Sequence, residues 1–198
     1  MKTYTICRKQ ASFSWDSIPR LAIDTLLWSE KVPISAGAQL CYDDEAIYVK
    51  LTATEPHMRA EEEGPLGAPC EDSCLEFFFS PIAGDNRYFN IEFNPNGCMY
   101  LGLGSNVQNL VRLIPEQNPI VPQICRTTDG WALEYSIPYT FIRRFFPGFS
   151  PASGDTLRAN CYKCGDSTVQ PHFLSWNPIA LPEPCFHCPE FFGTMVFE

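Results

Sequence analysis

The sequence predicts an all-β fold, a jelly-roll-like antiparallel β-sandwich with one short helix. Three observations support this class. Apolar and polar residues alternate in many short segments, as they do in half-buried strands. Proline is abundant, at 18 of 198 residues, and Pro, Gly and Asn clusters separate the segments as turn residues do. Helical periodicity is nearly absent, and the length suits a single domain over residues 1–198.

The first half of the chain carries the clearest strand patterns. Ile47, Val49 and Leu51 share one face of their segment, and polar residues occupy the other face. In a second segment, Glu76 falls on the face opposite Leu75 and its apolar neighbours. Turn residues bound each segment and predict hairpins. The predicted strands are residues 38–42, 45–54, 73–79, 87–93 and 98–103.

The second half begins with a loop-like stretch, residues 104–120, that is rich in Asn, Gln and Pro. Pro122 suggests that the strand after it lies at a sheet edge. A short helix is predicted over residues 139–146, between Pro138 and Pro147. The strands predicted in this half are residues 121–126, 131–137, 156–163, 172–176 and 193–197.

The charge balance excludes two classes of partner. The formal net charge is -9 and the sequence pI is about 4.8. An acidic surface repels phosphate backbones, so we expect no nucleic-acid partner. It also disfavours anionic membrane surfaces, and the sequence lacks an apolar run of membrane-spanning length. We therefore expect no membrane partner.

The ten cysteines bear on compartment and on metal binding. Charges interrupt the N-terminus before any apolar signal-peptide core can form, so we expect a cytoplasmic protein with reduced thiols. Two CxxC pairs, Cys161/Cys164 and Cys185/Cys188, match zinc-ribbon spacing. Strand alternation would point Cys161 and Cys164 to opposite faces, however, so we predict no metal site there.

Polar side chains gather on the faces opposite the predicted core. If the turn after residue 80 centres near residues 83–84, Glu76 lies beside Asn90 and Glu92, while Arg158 and Asn160 share a face of another strand. Carboxylates, amides and a guanidinium suit sugar hydroxyls, which need paired donors and acceptors. The alternative is a solvated face of weak cross-strand pairs.

Calcium is a second possible ligand. Asp43, Asp44, Asp85 and Asn86 place oxygen ligands at turns. Turn capping explains the same residues and is the favoured interpretation.

The motifs together resemble carbohydrate-binding module family 9 and its stand-alone relatives. No single motif is diagnostic, but seven occur in order over most of the chain. They are residues 41–49, 71–78, 88–97, 131–138, 158–164, 175–178 and 186–193.

This resemblance implies an antiparallel β-sandwich that binds a mono- or oligosaccharide without catalysis, in carbohydrate catabolism. Family members hold a sugar chain end between two tryptophans, and some carry calcium. Trp176 matches one of these plates and is expected to be exposed beside the polar face. His187, in the last motif, joins the ligand-binding set. Where the second plate is expected, this chain has Pro69 and Cys70.

Two other functions stay open. Glu76 and Glu92 could form the carboxylate pair of a retaining glycoside hydrolase, which needs a separation of about 5 Å. Alternatively, the sandwich has lost its sugar site and binds a partner protein.

Overall fold

The computed structural model describes all residues from Met1 to Glu198. It contains fourteen strands and one α-helix, α1, over Tyr139–Ile142. The strands are β1 Thr3–Arg8, β2 Leu21–Ile23, β3 Thr25–Leu27, β4 Ser35–Tyr42, β5 Ala46–Thr54, β6 Cys74–Ser80, β7 Tyr88–Phe93, β8 Met99–Gly104, β9 Val111–Arg112, β10 Gln123–Arg126, β11 Gly130–Pro138, β12 Thr156–Gly165, β13 His172–Ser175 and β14 Gly193–Phe197.

The strands form two layers that are joined through β1. One layer runs β10-β11-β5-β4, and the other runs β14-β12-β6-β7-β8-β9. Strand β1 pairs in parallel with β4 on one side and with β14 on the other, and every other pairing is antiparallel. The predicted β-rich fold is confirmed, with the correction that β1 makes the sheet mixed. The helix also ends at Ile142 rather than at residue 146.

The core lies between the two layers, on the faces that alternation predicted. Val49 and Leu51 of β5 pack in one cluster with Phe77 and Phe79 of β6. The Phe77 and Phe79 rings are stacked with centroids 5.1 Å apart. Burial of this apolar surface is the main stabilising contribution to the fold.

An ion pair lies inside this core. The Lys163 ammonium lies 3.3 Å from the Glu55 carboxylate and 2.8 Å from Nε2 of His172. Glu55 also accepts hydrogen bonds from Ser73 and from the Trp131 indole. Each charge therefore has several partners, as a buried charge requires.

The opposite face of β6, β7 and β12 is covered by residues 177–192, which we call the strap. Asn160 exchanges two hydrogen bonds with the Asn177 backbone, and Arg158 donates to the Phe192 carbonyl. The Tyr162 hydroxyl donates to the Phe186 carbonyl at 3.2 Å. The strap consequently covers the part of the predicted polar face that carries Arg158 and Asn160. No helix in the structure combines the length and the hydropathy of a membrane span.

Candidate functional site

Two carboxylates mark the floor of the site. Glu76 on β6 is directly opposite Glu92 on β7 and opposite Tyr162 on β12. This confirms the predicted register, because the β6–β7 turn does centre near Ala83. Both carboxylates are nearly buried, with 2% and 6% exposure.

The two carboxylates line a cleft of about 250 Å³, which we call the Trp28 cleft. The sheet forms its floor, and the strap and the loop after β8 form its sides. Its lining combines aromatic rings, acidic groups and thiols: Trp28, Cys70, Glu76, Glu92, Val107, Cys164, Asp166, Phe173, Pro184, Cys185, Phe186 and His187.

Aromatic rings are fixed on the walls of the cleft. The Trp28 indole donates a hydrogen bond to the Leu181 carbonyl at 2.7 Å. Its ring centroid lies 5.8 Å from that of Phe186 and 6.0 Å from that of Phe173. Phe186 in turn stacks on Tyr162 at 4.1 Å. These contacts hold flat apolar surfaces against the cleft, as sugar C–H faces require.

The electrostatics of the cleft are unusual for a surface. Burial, and then the neighbouring Glu92, raise the pKa of Glu76 well above its ordinary value. Burial also raises the pKa of Glu92 to about 7. No Lys or Arg lines the cleft. The pair can therefore hold a proton near neutral pH and both donate and accept hydrogen bonds.

His187, which the sequence analysis includes among the ligand-binding residues, lies at the rim of the cleft. Its Nδ1 is 3.0 Å from the Tyr88 hydroxyl, and its ring lies over Phe78. Burial lowers the pKa of His187 to about 4, so the ring is neutral at pH 7. The Nε2 atom of this neutral ring has no hydrogen-bond partner within the protein.

Asn90, Arg158 and Asn160 do not line the cleft. The Asn90 amide donates to Glu92 at 2.9 Å, so Asn90 positions a cleft residue, while its own side-chain oxygen has no partner. Arg158 and Asn160 bind the backbone of the strap. These three residues stay predicted sugar ligands; none of them lines this cleft, and Arg158 lines a neighbouring cleft instead.

The sequence prediction that Trp176 is exposed is wrong. Its side chain is 4% exposed and belongs to the main core. The indole packs on Gly193, where a Cβ atom would lie 2.6 Å from the ring. Trp176 therefore cannot act as an exposed plate beside a sugar.

Trp28 is the aromatic residue that the sequence analysis missed. It follows β3, a strand of three residues, too short to show alternation. Its backbone φ of 45° lies in the left-handed region, which is rare for a non-glycine residue. Cys70, at the position where the resemblance expected the second plate, does line the cleft. Trp28 supplies an indole to the same cleft from a different part of the chain.

The calcium candidates do not form an open oxygen site. Asp43 accepts hydrogen bonds from two backbone amides of its turn and from Tyr48. Asp44 and Asp85 pair with arginines. These carboxylates thus serve turns and ion pairs, which is the capping interpretation.

The CxxC pairs do not converge either. Cys161 lies in the core, whereas Cys164 faces the Trp28 cleft. The thiol of Cys188 donates to the Cys185 carbonyl at 3.1 Å. Strand alternation correctly predicted that Cys161 and Cys164 point to opposite faces of β12.

Two further clefts flank the site. A polar cleft of about 610 Å³ shares His187 with the Trp28 cleft and is also lined by Asn86, Asn106, Arg158 and Glu190. A cleft of about 480 Å³ lies between the loops around Glu63 and Ile114. This last cleft has no aromatic lining, so it lacks the apolar plate of a sugar site.

Comparisons with known proteins agree with this architecture. The chain resembles a crystal structure of a candidate carbohydrate-binding protein from Bacteroides uniformis ATCC 8492, with 29% identity, a TM-score of 0.85 and coverage of 100% of this chain and 99% of that chain.

Two structures of a carbohydrate-binding module of family 9 from Caldicellulosiruptor kristjanssonii share the fold at 13% identity. The complex with glucose has a TM-score of 0.70 and covers 100% of this chain and 96% of that one. The complex with cellotriose has a TM-score of 0.72, with coverages of 100% and 94%. The curated proteins include no significant match.

The model of the family described as carbohydrate-binding family 9 matches residues 9–197, which is nearly the whole chain. The chain belongs to carbohydrate-binding family 9.

Proposed function

We propose that this protein binds a saccharide without catalysis in the Trp28 cleft. The observation that carries the proposal is the pairing of buried carboxylates, Glu76 and Glu92, with the rings of Trp28 and Phe186 around one cleft. Carboxylates bind sugar hydroxyls, and aromatic faces bind sugar C–H groups. The glucose and cellotriose complexes of the family 9 structures support this ligand class.

The cleft sizes suggest how much of a sugar is bound. The Trp28 cleft, of about 250 Å³, is smaller than the roughly 300–1,000 Å³ of drug-sized sites and suits one sugar ring. The polar cleft continues from it at His187 and offers amide and carboxylate groups. We therefore infer that a terminal sugar occupies the Trp28 cleft and that a second unit can extend past His187.

Calorimetry with glucose, cellobiose and cellotriose tests this proposal. Trp28→Ala should weaken binding about tenfold or more, equivalent to about 1.4 kcal/mol, because the main apolar plate is lost. Glu92→Gln should weaken it about three- to tenfold through loss of one hydrogen bond. Trp15→Ala changes a half-buried tryptophan outside the cleft and is the matched control. Unchanged affinity in Trp28→Ala would refute this location.

Glycoside hydrolysis is the second candidate, because the Glu76–Glu92 pair is buried and shares raised pKa values. Hydrolysis requires carboxylates on both sides of the scissile bond. Here both carboxylates extend from the same face of the sheet. A sugar bound above that face therefore has both carboxylates on one side. We therefore expect no turnover of chromogenic glycosides, and turnover that disappears in Glu76→Gln would favour the enzyme.

We also propose a cytoplasmic location and a role in carbohydrate catabolism. All ten cysteines are free, which fits a reducing compartment. Mass spectrometry of protein that is alkylated at cell lysis should find all ten cysteines alkylated. Recovery of disulfides in such protein would contradict the location.

A further inference from the structure

A group of three ligand-type side chains lies at the floor of the Trp28 cleft. Cys74 and Cys164 are directly opposite on β6 and β12, and Glu76 is two residues along β6 on the same face. Their sulfur and carboxylate atoms all lie within 4.8 Å of one another. The Cys164 thiol is 3.0 Å from Oε1 of Glu76. All three residues are buried.

The donor set and spacing fit a borderline-soft divalent cation. Zinc binds thiolates at about 2.3 Å and carboxylates at about 2.0–2.2 Å, so neighbouring ligand atoms in a tetrahedral site lie about 3.5–3.8 Å apart. The span of these three groups, at most 4.8 Å between ligand atoms, is close to that spacing. The backbone that carries them is a paired, central part of the sheet, so the ligands are held by rigid elements.

No lysine or arginine lines the cleft beside these groups. The Lys163 side chain lies on the opposite face of β12, where it contacts Glu55 and His172. A divalent ion would supply the missing positive charge, and its binding would release protons.

The position of the cluster gives the ion access from outside. Glu76 and Cys164 line the cleft, whereas Cys74 lies behind them. Three protein ligands leave a fourth tetrahedral position free, as in open zinc sites. Because two of the three ligands line the cleft, we infer that water, Glu92 or a sugar hydroxyl takes this position.

We propose that Cys74, Glu76 and Cys164 form a zinc-binding site at the floor of the Trp28 cleft. The site goes beyond saccharide binding and does not depend on it, because the metal is recognised by the thiols.

Cobalt titration of the reduced, metal-free protein tests the site. The partly or fully exposed thiols, Cys7, Cys70, Cys125 and Cys185, are first replaced by serine so that they cannot bind metal adventitiously. Cobalt should then bind one to one, with a thiolate charge-transfer band and the strong visible bands of tetrahedral coordination. Zinc should displace it. Absence of these bands would overturn the proposal.

Ligand variants in the same background identify the residues. Cys74→Ser, Cys164→Ser and Glu76→Gln should each weaken binding about 100-fold or more, since even partners that only orient ligands contribute about 10–100-fold. Cys161→Ala is the matched control, because Cys161 lies on β12 but faces the core. Circular dichroism verifies that each variant folds. Equal cobalt spectra in Cys164→Ser and Cys161→Ala would refute the site.

Saccharide calorimetry separates this proposal from the proposed function. Trp28→Ala should lose saccharide affinity and keep the cobalt spectrum, whereas Cys74→Ser should lose the spectrum and keep its fold. If the reduced protein binds no cobalt but still binds sugar, the zinc site fails and the saccharide site remains.

Discussion

At the scale of single residues, the two tryptophans show how environment assigns a role. Trp176 continues the inward-facing series of His172 and Leu174, and all three are buried. Strand parity could therefore have placed its indole in the core, against the expectation of an exposed plate. Trp28 is half-buried beside the carboxylates. Its role depends on contacts with the strap, which no local pattern reveals.

Replacement of Trp176 distinguishes a core residue from a sugar plate. Trp176→Phe should lower the free energy of unfolding by about 1–3 kcal/mol, because a large buried ring is replaced by a smaller one. Saccharide affinity should change by less than about twofold, since the indole does not reach the cleft. Denaturant unfolding and calorimetry measure the two effects. A large loss of affinity with unchanged stability would contradict the buried position.

At the scale of elements, the sequence predicts strands better than it predicts what covers them. Alternation in β5, β6 and β7 correctly assigns the core faces and the Glu76–Glu92 register. It also groups Arg158 with Asn160 correctly. Alternation cannot show that the strap covers these side chains, because the strap has no regular periodicity. The sequence therefore predicted the carboxylates at the floor of the proposed site but not the aromatic residues on its wall.

Asn160 is the residue that attaches the start of the strap to the sheet. Its amide donates to the Asn177 carbonyl at 2.9 Å and accepts from the Asn177 amide at 2.8 Å. Asn160→Ala removes the side-chain partner of three buried backbone groups, two of Asn177 and the amide of Cys161, so we expect a loss of about 2–4 kcal/mol in stability. Saccharide affinity should also fall, because Phe186 and His187 belong to the strap.

Hydrogen exchange measures this loosening directly. Amides of residues 177–192 should exchange faster in Asn160→Ala. The exchange rates of the β5 amides should change only as far as the global stability of the protein changes. Gln117→Ala, an exposed amide residue with no side-chain hydrogen bond, is the control. Unchanged protection of the strap would show that other contacts suffice to hold it.

At the scale of the whole molecule, β1 is the element that joins the two layers. Its partners, β4 and β14, are about 30 and 190 residues away in the chain. Short-range patterns cannot predict such pairings, because turn residues indicate only neighbouring strands. Local alternation predicted the sandwich class. It could not predict that the two layers are joined by parallel pairing of β1. The single domain over residues 1–198 stays a prediction.

Global stability should carry a pH dependence from the buried Lys163 network. Burial first, and then the Lys163 charge, lower the pKa of His172 to about 4. The hydrogen bond to the Gln170 carbonyl and the Glu55 charge act in the opposite direction. The unfolded state, with a histidine pKa near 6.5, therefore binds more protons between about pH 4 and 6.5. Stability contributed by His172 is complete above this window and is lost as the pH falls through it.

Other groups titrate in the same pH range, so the contribution of His172 is isolated by comparing wild type with a His172 variant. His187 has a lowered pKa of the same sign, whereas the raised pKa of Glu92 has the opposite sign. The stability difference between wild type and His172→Gln should shrink by about 2–3 kcal/mol from pH 6.5 to pH 4. Denaturant unfolding at each pH measures it. His57 is an exposed histidine. If the stability difference between wild type and His57→Gln shrinks by the same amount, the effect does not come from the buried network.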